Sequence, residues 1–442
     1  MRIPAVPPPY GKLLETLRTP ERAGKILSIG GPDVDGRYFH WKSLRRRQPP
    51  LDLSHEEWWL TLKVARYAMR TFFNLNDEAG QRFWFAATDS VQRSLHRIDR
   101  DVGADLEFLN PLLAHSDSRE MYIIRSLAEE AITSSQLEGA STTRKVAKEM
   151  LLSGRAPRSP DEWMIANNFS AMQFAREHAK KPLTLELLLT LHLILTENTL
   201  KPDEVGRLRR PEEEVVVEDL GTGQVLHTPP AASALPKRLS ALFAFANESK
   251  TTPFIHPIVR SIMLHFMLAY EHPFVDGNGR TARALFYWSM LRHGYGLAEF
   301  LSISRTIKKA PAQYRNAFLL TETDEADVTY FILHQLEVVL AAITDLQAYL
   351  KRKDTELRKA DELLKESGHL NHRQIAVINE AVRHPTMRFT IEAHRTQFRI
   401  VYQTARTDLL GLVDGGWLRK RQSGRRFDFE PSPNLEQKLK RP

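Results

Sequence analysis

A segment of twelve residues near the middle of the chain concentrates side chains suited to phosphate chemistry. It reads HPFVDGNGRTAR and runs from His272 to Arg283. A glycine-rich turn that leads into a helix N-terminus directs several backbone N–H groups at one point, which is typical of an anion site. Asp276 lies at the edge of that turn, and its carboxylate is a hard oxygen ligand that suits Mg²⁺ beside the same phosphates.

The remaining polar residues of the segment extend this chemistry. Arg280 and Arg283 are three apart on the new helix, so that both can reach phosphate oxygens from neighbouring parts of one face. His272 precedes the turn and is a base that can work near neutral pH. A base, a metal carboxylate, an amide nest and two arginines together predict a phosphate-transfer site.

Two other interpretations of the turn are weaker. The sequence DGNG is typical of two-residue hairpin loops, but the residues before and after it have helical patterns. Gly277, Gly279 and Ala282 also fit a G-x-G-x-x-A dinucleotide fingerprint. That motif must follow a strand, whereas this turn follows a helix.

The segment resembles the Fic motif, HPFx(D/E)GNGRxxR, at every specified position. The resemblance implies that ATP is the substrate, that its α-phosphate lies over the turn, and that Asp276 holds Mg²⁺. It also implies an anion hole built from Gly277, Asn278 and Gly279. Gly279 stands where phosphate-transferring relatives of the family carry Lys, which favours transfer of AMP over transfer of phosphate.

The same resemblance implies a mechanism. Arg280 and Arg283 would bind the β and γ phosphates. His272 would take the proton from a Ser, Thr or Tyr hydroxyl of a target protein as that oxygen attacks the α-phosphate, and pyrophosphate would leave. The expected activity is that of a protein adenylyltransferase that also modifies itself.

A second motif lies upstream, at the end of the predicted helix 119–139. Taken alone, Glu138 beside Gly139 would be a surface residue next to a helix-ending glycine. TSSQLEG, however, resembles the inhibitory motif (S/T)xxxE(G/N) of Fic proteins, with Ser134 as its first residue. By that resemblance Glu138 pairs with Arg283 and keeps the γ-phosphate from seating productively. Some relatives use the equivalent Glu to remove AMP, which remains an alternative.

One segment interrupts the helical patterns. EVVVEDLGTGQVLHTPP, within residues 214–230, has a β-branched run, a glycine-containing turn at Leu220 to Gly223, and a second short run stopped by prolines. It predicts a β-hairpin in the position of the family's flap. The hairpin would be either a structural cover or a docking edge that takes a target segment as an added strand.

The elements around these motifs are predicted to be mainly helical. Glu56–Phe73 and Gly80–Asp99 have large apolar residues three and four apart, and we expect both to be helices. FIHPIVRSIMLHFMLAYEH is apolar nearly all round and predicts a buried helix. Within it, His265 is expected to be a hydrogen-bonded core residue, and His256 to help start the helix.

The C-terminal residues predict three helices followed by a hairpin that turns at Ser423 and Gly424, which is the pattern of a winged helix-turn-helix. The alternative to DNA binding is that this unit only mediates protein contacts or packs on the Fic core. If duplex DNA is a partner, basic residues of the third helix and the wing would contact it. These residues are Arg406, Arg419, Lys420, Arg421, Arg425 and Arg426.

Length and amino-acid composition limit the possible number of domains and the possible kinds of site. The 442 residues predict two or three domains, and the absence of cysteine rules out disulfides and thiolate metal sites and suits a cytoplasmic protein. We expect no apolar run to approach the ~20 residues of a membrane span, and the proline-containing N-terminus does not predict an export signal. The formal charge of +8 is modest for this length.

The predicted fold is therefore mainly α, with a Fic-type helical core, a β-hairpin flap and a C-terminal winged helix-turn-helix. The predicted divisions are an N-terminal arm and helical region, the Fic domain, a helical linker and the winged helix, at 1–115, 116–350, 351–369 and 370–442. Alternatives to protein adenylylation are a DNA-binding regulator with a nucleotide-sensing Fic domain, removal of AMP, and transfer of another nucleotide. A homodimer is an expectation from the family.

Overall fold

The structure is a computed structural model, and its residues group into two compact units. Residues 2–15, 17, 19–103, 116–153, 155–219, 221–248, 253–366, 370–383, 387–423 and 426–439 are described. The first unit comprises Met1–Gly103 and Ser126–Ile343, and the second comprises Ala104–Arg125 and Thr344–Pro442. The N-terminal region thus shares a compact unit with the central helices.

The N-terminal region is a small helical layer with its own core. Its helices are α1 (Tyr10–Leu14), α2 (Pro20–Ser28), α3 (Trp41–Leu44) and α4 (His55–Ala68). Leu13 and Ile26 are buried against Trp59 of α4, which anchors the short helices to the longer one. Helix α4 begins at a capping box in which Ser54 and Glu57 bond each other's backbone N–H.

A β-hairpin follows α4 where the apolar spacing predicted helix, so the helical prediction for Glu56–Phe73 and Gly80–Asp99 is wrong in part. Strands β1 (Arg70–Asn76) and β2 (Arg82–Ala86) pair antiparallel. Phe73 and Leu75 are buried while the residues between and after them are exposed, which is the period of a strand. Gly80, at φ 84°, forms the turn that the pattern of aromatic residues obscured.

The remaining elements follow along the chain, and residues 116–125 and 344–366 among them belong to the second unit. They are α5 (Asp89–Gly103), α6 (Ser116–Leu137), α7 (Arg144–Ser153), α8 (Pro160–Glu177), α9 (Leu185–Thr196), β3 (Val217–Glu218), β4 (Val225–His227), α10 (Leu235–Asn247), α11 (Pro257–Glu271), α12 (Asn278–Arg292), α13 (Ile303–Lys309), α14 (Pro311–Glu322) and α15 (Thr329–Glu366), with 3₁₀ turns at Ala232–Ala234 and Gly296–Phe300. Strands β3 and β4 pair antiparallel as the predicted hairpin, whose turn residue Leu220 lies outside the described residues.

Helix α11 is the centre of the first unit, as its sequence predicted. Thirteen of its 15 residues are buried, and 12 of the 15 residues of α12 are buried beside it. His256 caps α11 by accepting a hydrogen bond from the Ile258 N–H, which confirms its predicted role. His265 is fully buried and its Nε2 lies 2.8 Å from the Tyr314 hydroxyl, which confirms that it is a core residue.

Buried charges tie the N-terminal helices to the start of α15. The Lys63 ammonium lies 2.7 Å from the Asp324 carboxylate and 3.1 Å from that of Glu325. Arg66, fully buried, donates to the Tyr330 hydroxyl, which in turn donates to Asp324. Because charges removed from water are costly unless paired, these residues hold residues 55–68 and 324–330 in one register.

Helix α15 contains a long apolar stretch, whereas the sequence was expected to contain no apolar run of that length. Within the described residues, Thr329–Arg352 is long and apolar enough to cross a membrane, and 44% of the apolar window is buried in the fold. Core helices of soluble proteins meet the same criterion. The helix continues to Glu366, through most of the predicted linker.

The second unit contains the C-terminal elements in their predicted order. Helices α16 (His372–Arg383), α17 (Ile391–Phe398) and α18 (Tyr402–Asp414) precede strands β5 (Leu418–Ser423) and β6 (Arg426–Pro431) and a short α19 (Leu435–Lys438). Ile378, Leu409 and Phe429 join the helices and the hairpin in one apolar cluster. Gly424 of the predicted turn lies outside the described residues, and the assignment of the unit as a winged helix stays a prediction.

We predict that Asp324→Ala lowers the free energy of unfolding by about 3 kcal/mol, because it leaves a buried ammonium with a partly exposed partner alone. Chemical denaturation followed by tryptophan fluorescence measures the loss. Asp89→Ala is the matched control, since the Asp89 carboxylate is exposed and its ion pair with Arg93 spans 3.8 Å. Equal losses for both variants would contradict the role given to the buried pair.

Candidate active site

The catalytic base candidate, His272, is held by the end of α11. Its backbone is left-handed, at φ 45° and ψ 55°, which turns the chain sharply out of the helix. Its Nδ1 lies 3.1 Å from the Ala269 carbonyl oxygen, so Nδ1–H is the donor and Nε2 keeps its lone pair. Burial lowers the pKa of His272 to about 4, against the opposing effect of that hydrogen bond. The imidazole is therefore neutral near pH 7.

The turn after His272 delivers the N-terminus of α12. Gly277 has φ 83°, and a Cβ there would lie 3.0 Å from Cγ2 of Thr196, so both conformation and space require glycine. The first helical hydrogen bond runs from the Thr281 N–H to the Gly277 carbonyl. The N–H groups of residues 278–280 precede it and have no acceptor within the helix, which leaves them for an anion.

Side chains around the turn fix its shape. Asn278 accepts from the Phe274 N–H at 3.0 Å and donates to the Phe274 carbonyl at 2.8 Å, so its amide closes the loop while its backbone faces the anion site. Phe274 is fully buried and stacks on His192 at 3.7 Å. His192 accepts from the Gly206 N–H and donates from Nε2 to the Asp276 carbonyl at 3.0 Å.

His192 was not identified from the sequence. It lies within an apolar helix some eighty residues before the turn, and no local pattern distinguishes it from a core histidine. Burial lowers its pKa to about 4, so it stays neutral and keeps the one tautomer that fits both of its partners.

Arg280 points inward from the first turn of α12. It is fully buried, donates to the Leu195 carbonyl at 3.2 Å and pairs with Asp276 at 3.2 Å. Its Nε has no hydrogen-bond partner among the described residues. A buried guanidinium with an unused donor is suited to a further anion.

Arg283 is held by the end of α6. Its Nε donates to the Ser134 hydroxyl at 2.8 Å, and its terminal nitrogen donates to the Ser134 carbonyl at 3.1 Å and to Glu138 Oε1 at 2.7 Å. The Arg283 side chain is 2% exposed. Gly139 follows at φ 102°, the left-handed geometry that ends the helix after Leu137.

The Glu138 carboxylate lies against the start of α12. A Cβ built on Gly279 would be 2.2 Å from Glu138 Oε1 and 3.0 Å from its Cδ. Because side chains do not approach so closely, glycine at 279 is required for this contact. The carboxylate therefore lies beside the free N–H groups of the helix as well as beside Arg283.

Asp276 is the metal ligand candidate, and its surroundings fit Mg²⁺. Its side chain is 54% exposed at the edge of the turn. The described residues contain no group of three or more His, Cys, Asp or Glu that could hold a metal by themselves. A single carboxylate with phosphate oxygens and water is a usual coordination for Mg²⁺, which seldom uses an all-protein site.

A cavity of about 210 Å³ is lined by some of these groups, whereas Asp276 and Arg280 are not part of its lining. His272, Glu138, Gly279 and Arg283 form one side of it, and the hairpin and α14 form the others. The lining from the hairpin and α14 is Val217, Leu226, His227, Pro311, Tyr314, Arg315, Phe318, Leu319 and Glu322. The base, the arginine and the start of α12 thus face a common space.

His227, on strand β4, is a second residue that sequence reasoning missed. Its Nδ1 lies 2.8 Å from Glu322 Oε2, and its Nε2 lies 2.7 Å from the Tyr270 carbonyl. Both partners are acceptors, so both ring nitrogens satisfy them only when protonated. Burial opposes the charge, but the hydrogen bond and charge of Glu322 outweigh it and raise the pKa of His227. The only sequence signal was a histidine before two prolines.

The residues predicted to contact DNA belong to the second unit. Arg406 lies on α18, and Arg419, Lys420 and Arg421 lie on β5. Arg426 starts β6, and Arg425 lies outside the described residues.

Similar proteins place this site in a family. Residues 182–290 match the Fic/DOC family. The chain is 39% identical over 94 residues to protein adenylyltransferase Fic of Nematostella vectensis, covering 21% of this chain and 20% of that protein. It is 28% identical over 183 residues to protein adenylyltransferase fic-1 of Caenorhabditis elegans, covering 40% of this chain and 33% of that protein. The chain thus spans between a fifth and a third of the length of these relatives.

The fold is also shared with a solved structure. The crystal structure of a Fic family protein from Desulfovibrio desulfuricans G20 superposes with a TM-score of 0.52 at 18% identity, over 79% of this chain and 98% of that one. The helical fold agrees with the predicted class, and the segment from His272 to Arg283 lies inside the matched residues. Residues 182–290 of the chain therefore match the Fic/DOC family, and the fold around them is that of a solved Fic family protein.

Proposed function

We propose that the protein is a protein adenylyltransferase that moves AMP from ATP onto hydroxyl groups of a target protein and of itself. The observation that carries the proposal is the orientation of His272, whose Nε2 lone pair is available in the cavity that Gly279 and Arg283 also line. A base beside an anion site is the arrangement that phosphoryl-group chemistry requires. The relatives named above are adenylyltransferases, which supports AMP as the transferred group.

The proposed reaction is an in-line displacement at the α-phosphorus of ATP. The target hydroxyl oxygen bonds to the α-phosphorus as its proton passes to Nε2 of His272. The bond from the α-phosphorus to the bridging oxygen breaks, and pyrophosphate leaves with that oxygen. The free N–H groups at the start of α12 would stabilise negative charge on the α-phosphate, and Arg280 and Arg283 would bind the β and γ phosphates.

Asp276 would hold Mg²⁺ in this proposal. The ion would supply positive charge at the phosphates when bound. The exposed carboxylate of Asp276 lies at the edge of the turn, and its ion pair with Arg280 keeps it beside the phosphate positions. His192 fixes the backbone of Asp276 through the carbonyl, so that the carboxylate is presented from a rigid loop.

We further propose that Glu138 inhibits the enzyme. Its carboxylate occupies the Arg283 donor that the γ-phosphate would need, and it lies beside the first turn of α12. A carboxylate and a phosphate cannot both take these donors, so the contact competes with productive binding of ATP. Ser134 holds the guanidinium in place and would stay bonded to it when Glu138 moves.

The hairpin of β3 and β4 is the proposed docking place of the target. Its paired strands have two and three residues, and Leu226 faces the cavity while Val225 is exposed. An extended target segment added to this short ribbon would bring a hydroxyl to His272 through main-chain hydrogen bonds.

We predict that Glu138→Gly raises self-labelling by about 10- to 100-fold, since it removes a charge-assisted hydrogen bond that competes with phosphate. Intact-mass measurement after incubation with ATP and Mg²⁺ detects the added adenylyl group. Glu129→Gly is the control, because Glu129 lies on the same helix and pairs with Arg144 away from the site. Equal labelling of the wild type and of the Glu138→Gly protein would contradict the proposed inhibition. If neither protein nor any target were labelled, the result would contradict the proposed adenylyltransferase activity.

We predict that the activity of the Glu138→Gly protein persists to about pH 5. The base acts when neutral, and burial lowers the pKa of His272 to about 4, so the active form predominates well below the ordinary histidine value. The dependence of kcat/KM for ATP on pH reports the free enzyme. An acid limb centred at pH 6.5 or above would contradict a buried neutral base, and labelling by a protein that also carries His272→Ala would contradict the assignment of the base.

We predict that His227 stabilises the fold mainly at low pH. Because its pKa is raised in the folded protein, its contribution is fully present below the ordinary value of 6.5 and is lost as pH rises through the raised pKa. His227→Gln should therefore destabilise the protein by about 1 kcal/mol more at pH 6 than at pH 9. Denaturant unfolding at both pH values measures this, with His55→Gln as the control, since His55 is half-buried and its hydrogen bond to the Arg47 carbonyl is exposed. If His227→Gln lowered the free energy of unfolding by the same amount at pH 6 and at pH 9, the result would contradict a protonated His227.

A further inference from the structure

The positive charge of the chain is concentrated in its last 73 residues. From Leu370 to the end, fourteen Lys and Arg face seven Asp and Glu, a net charge of +7 out of +8 for the whole chain. The preceding 369 residues are thus close to neutral. Such segregation is the electrostatic pattern of a surface that binds a polyanion.

Two helices of this unit form a helix-turn-helix. Helix α17 ends at Phe398 and α18 begins at Tyr402, so three residues connect them. Arg399, the first of the three, is left-handed at φ 51°, which turns the chain abruptly between the helices. Two helices joined by so short a turn are the arrangement that places a second helix in the major groove of duplex DNA.

A buried carboxylate fixes the direction of α18. Asp408 is 3% exposed and accepts hydrogen bonds from Asn371, Arg373 and His394, at 2.8, 2.7 and 3.1 Å. These donors come from the start of α16 and from α17, so one acceptor joins three helices. The opposite face of α18 is thereby kept outward.

That outward face carries side chains able to read bases. At its N-terminal half, Tyr402, Gln403, Arg406 and Thr407 are exposed, whereas Ala405 is buried. Arg406 makes no ion pair or side-chain hydrogen bond with another described residue. Arginine and glutamine are the side chains that bond guanine and adenine in a bidentate way from the major groove.

In the hairpin of β5 and β6, two of the arginines that were predicted to contact DNA bind a carboxylate of the hairpin itself. Arg419 and Arg421 both donate to the Glu430 carboxylate, at 2.9 and 3.1 Å, so their charges are partly neutralised within the hairpin. Lys420, which points the other way, stacks over the Phe427 ring at 3.6 Å and makes no ion pair with a carboxylate of the described residues. We therefore separate two functions, base reading by α18 and phosphate contact by Lys420.

We propose that the second unit binds duplex DNA sequence-specifically, with Gln403 and Arg406 of α18 as the base-reading residues. This function is independent of nucleotide transfer. It gives α18 rather than the arginines of the hairpin the role of choosing the DNA sequence.

The test starts with selection of a preferred site from duplexes that contain a random stretch, using the full-length protein. Arg406→Ala should weaken binding to the selected site by about 10- to 100-fold and relax the preference at one position, since it removes a base contact. Lys420→Ala should weaken selected and random duplexes alike and lower the salt slope by about one. Arg46→Ala is the control, because Arg46 is a solvent-exposed arginine of the first unit. This variant should change neither the affinity for duplex DNA nor the sequence preference.

His272→Ala should bind the selected duplex as the wild type does, which separates this proposal from the enzymatic one. The inference is overturned if no duplex is bound at low salt, or if selection yields no preferred sequence. It is also overturned if Arg406→Ala and Arg46→Ala have equal effects, or if single-stranded DNA or vesicles with anionic lipids bind as tightly as the selected duplex.

Discussion

Two fully buried guanidinium groups at the start of one helix impose the main constraint on this protein. Arg280 and Arg283 are both removed from water, and their charges add to the positive end of the helix dipole. Charges in such a place need anionic partners, because desolvation is costly and a lone buried charge is strongly destabilising. Asp276 and Glu138 supply those partners here.

The constraint explains why the proposed inhibitory contact and the proposed substrate site coincide. Glu138 can leave Arg283 at low cost only when another anion replaces it, and a phosphate is such an anion. In the proposed function, release of Glu138 from Arg283 and binding of a triphosphate would therefore be two parts of one exchange. Gly279 makes the exchange possible, since any side chain there would collide with the carboxylate and hold it away from the helix.

The sequence predicted the residues whose chemistry is local and missed those whose role arises from packing. His272 and Arg283 lie within one segment of twelve residues, so a single local pattern contains both of them. His192 and His227 come from a distant helix and a distant strand, and their partners are backbone carbonyls and a carboxylate that no motif records. The strands at Arg70–Asn76 and Arg82–Ala86 were predicted as helix, because adjacent aromatic residues fit both the helical period and the strand period of side-chain spacing.

Burial also sets the protonation states that the proposed chemistry needs, and it does so with opposite results for different groups. In the same dry site, desolvation lowers the pKa of His272 to about 4 and leaves a neutral base, while an arginine starts so far above neutral pH that it stays charged. Glu138 acts against this arrangement, since its negative charge raises the pKa of His272. A bound triphosphate would replace the Glu138 carboxylate by a larger negative charge. It would therefore raise the pKa of His272 further, so that the base would gain proton affinity when the substrate binds.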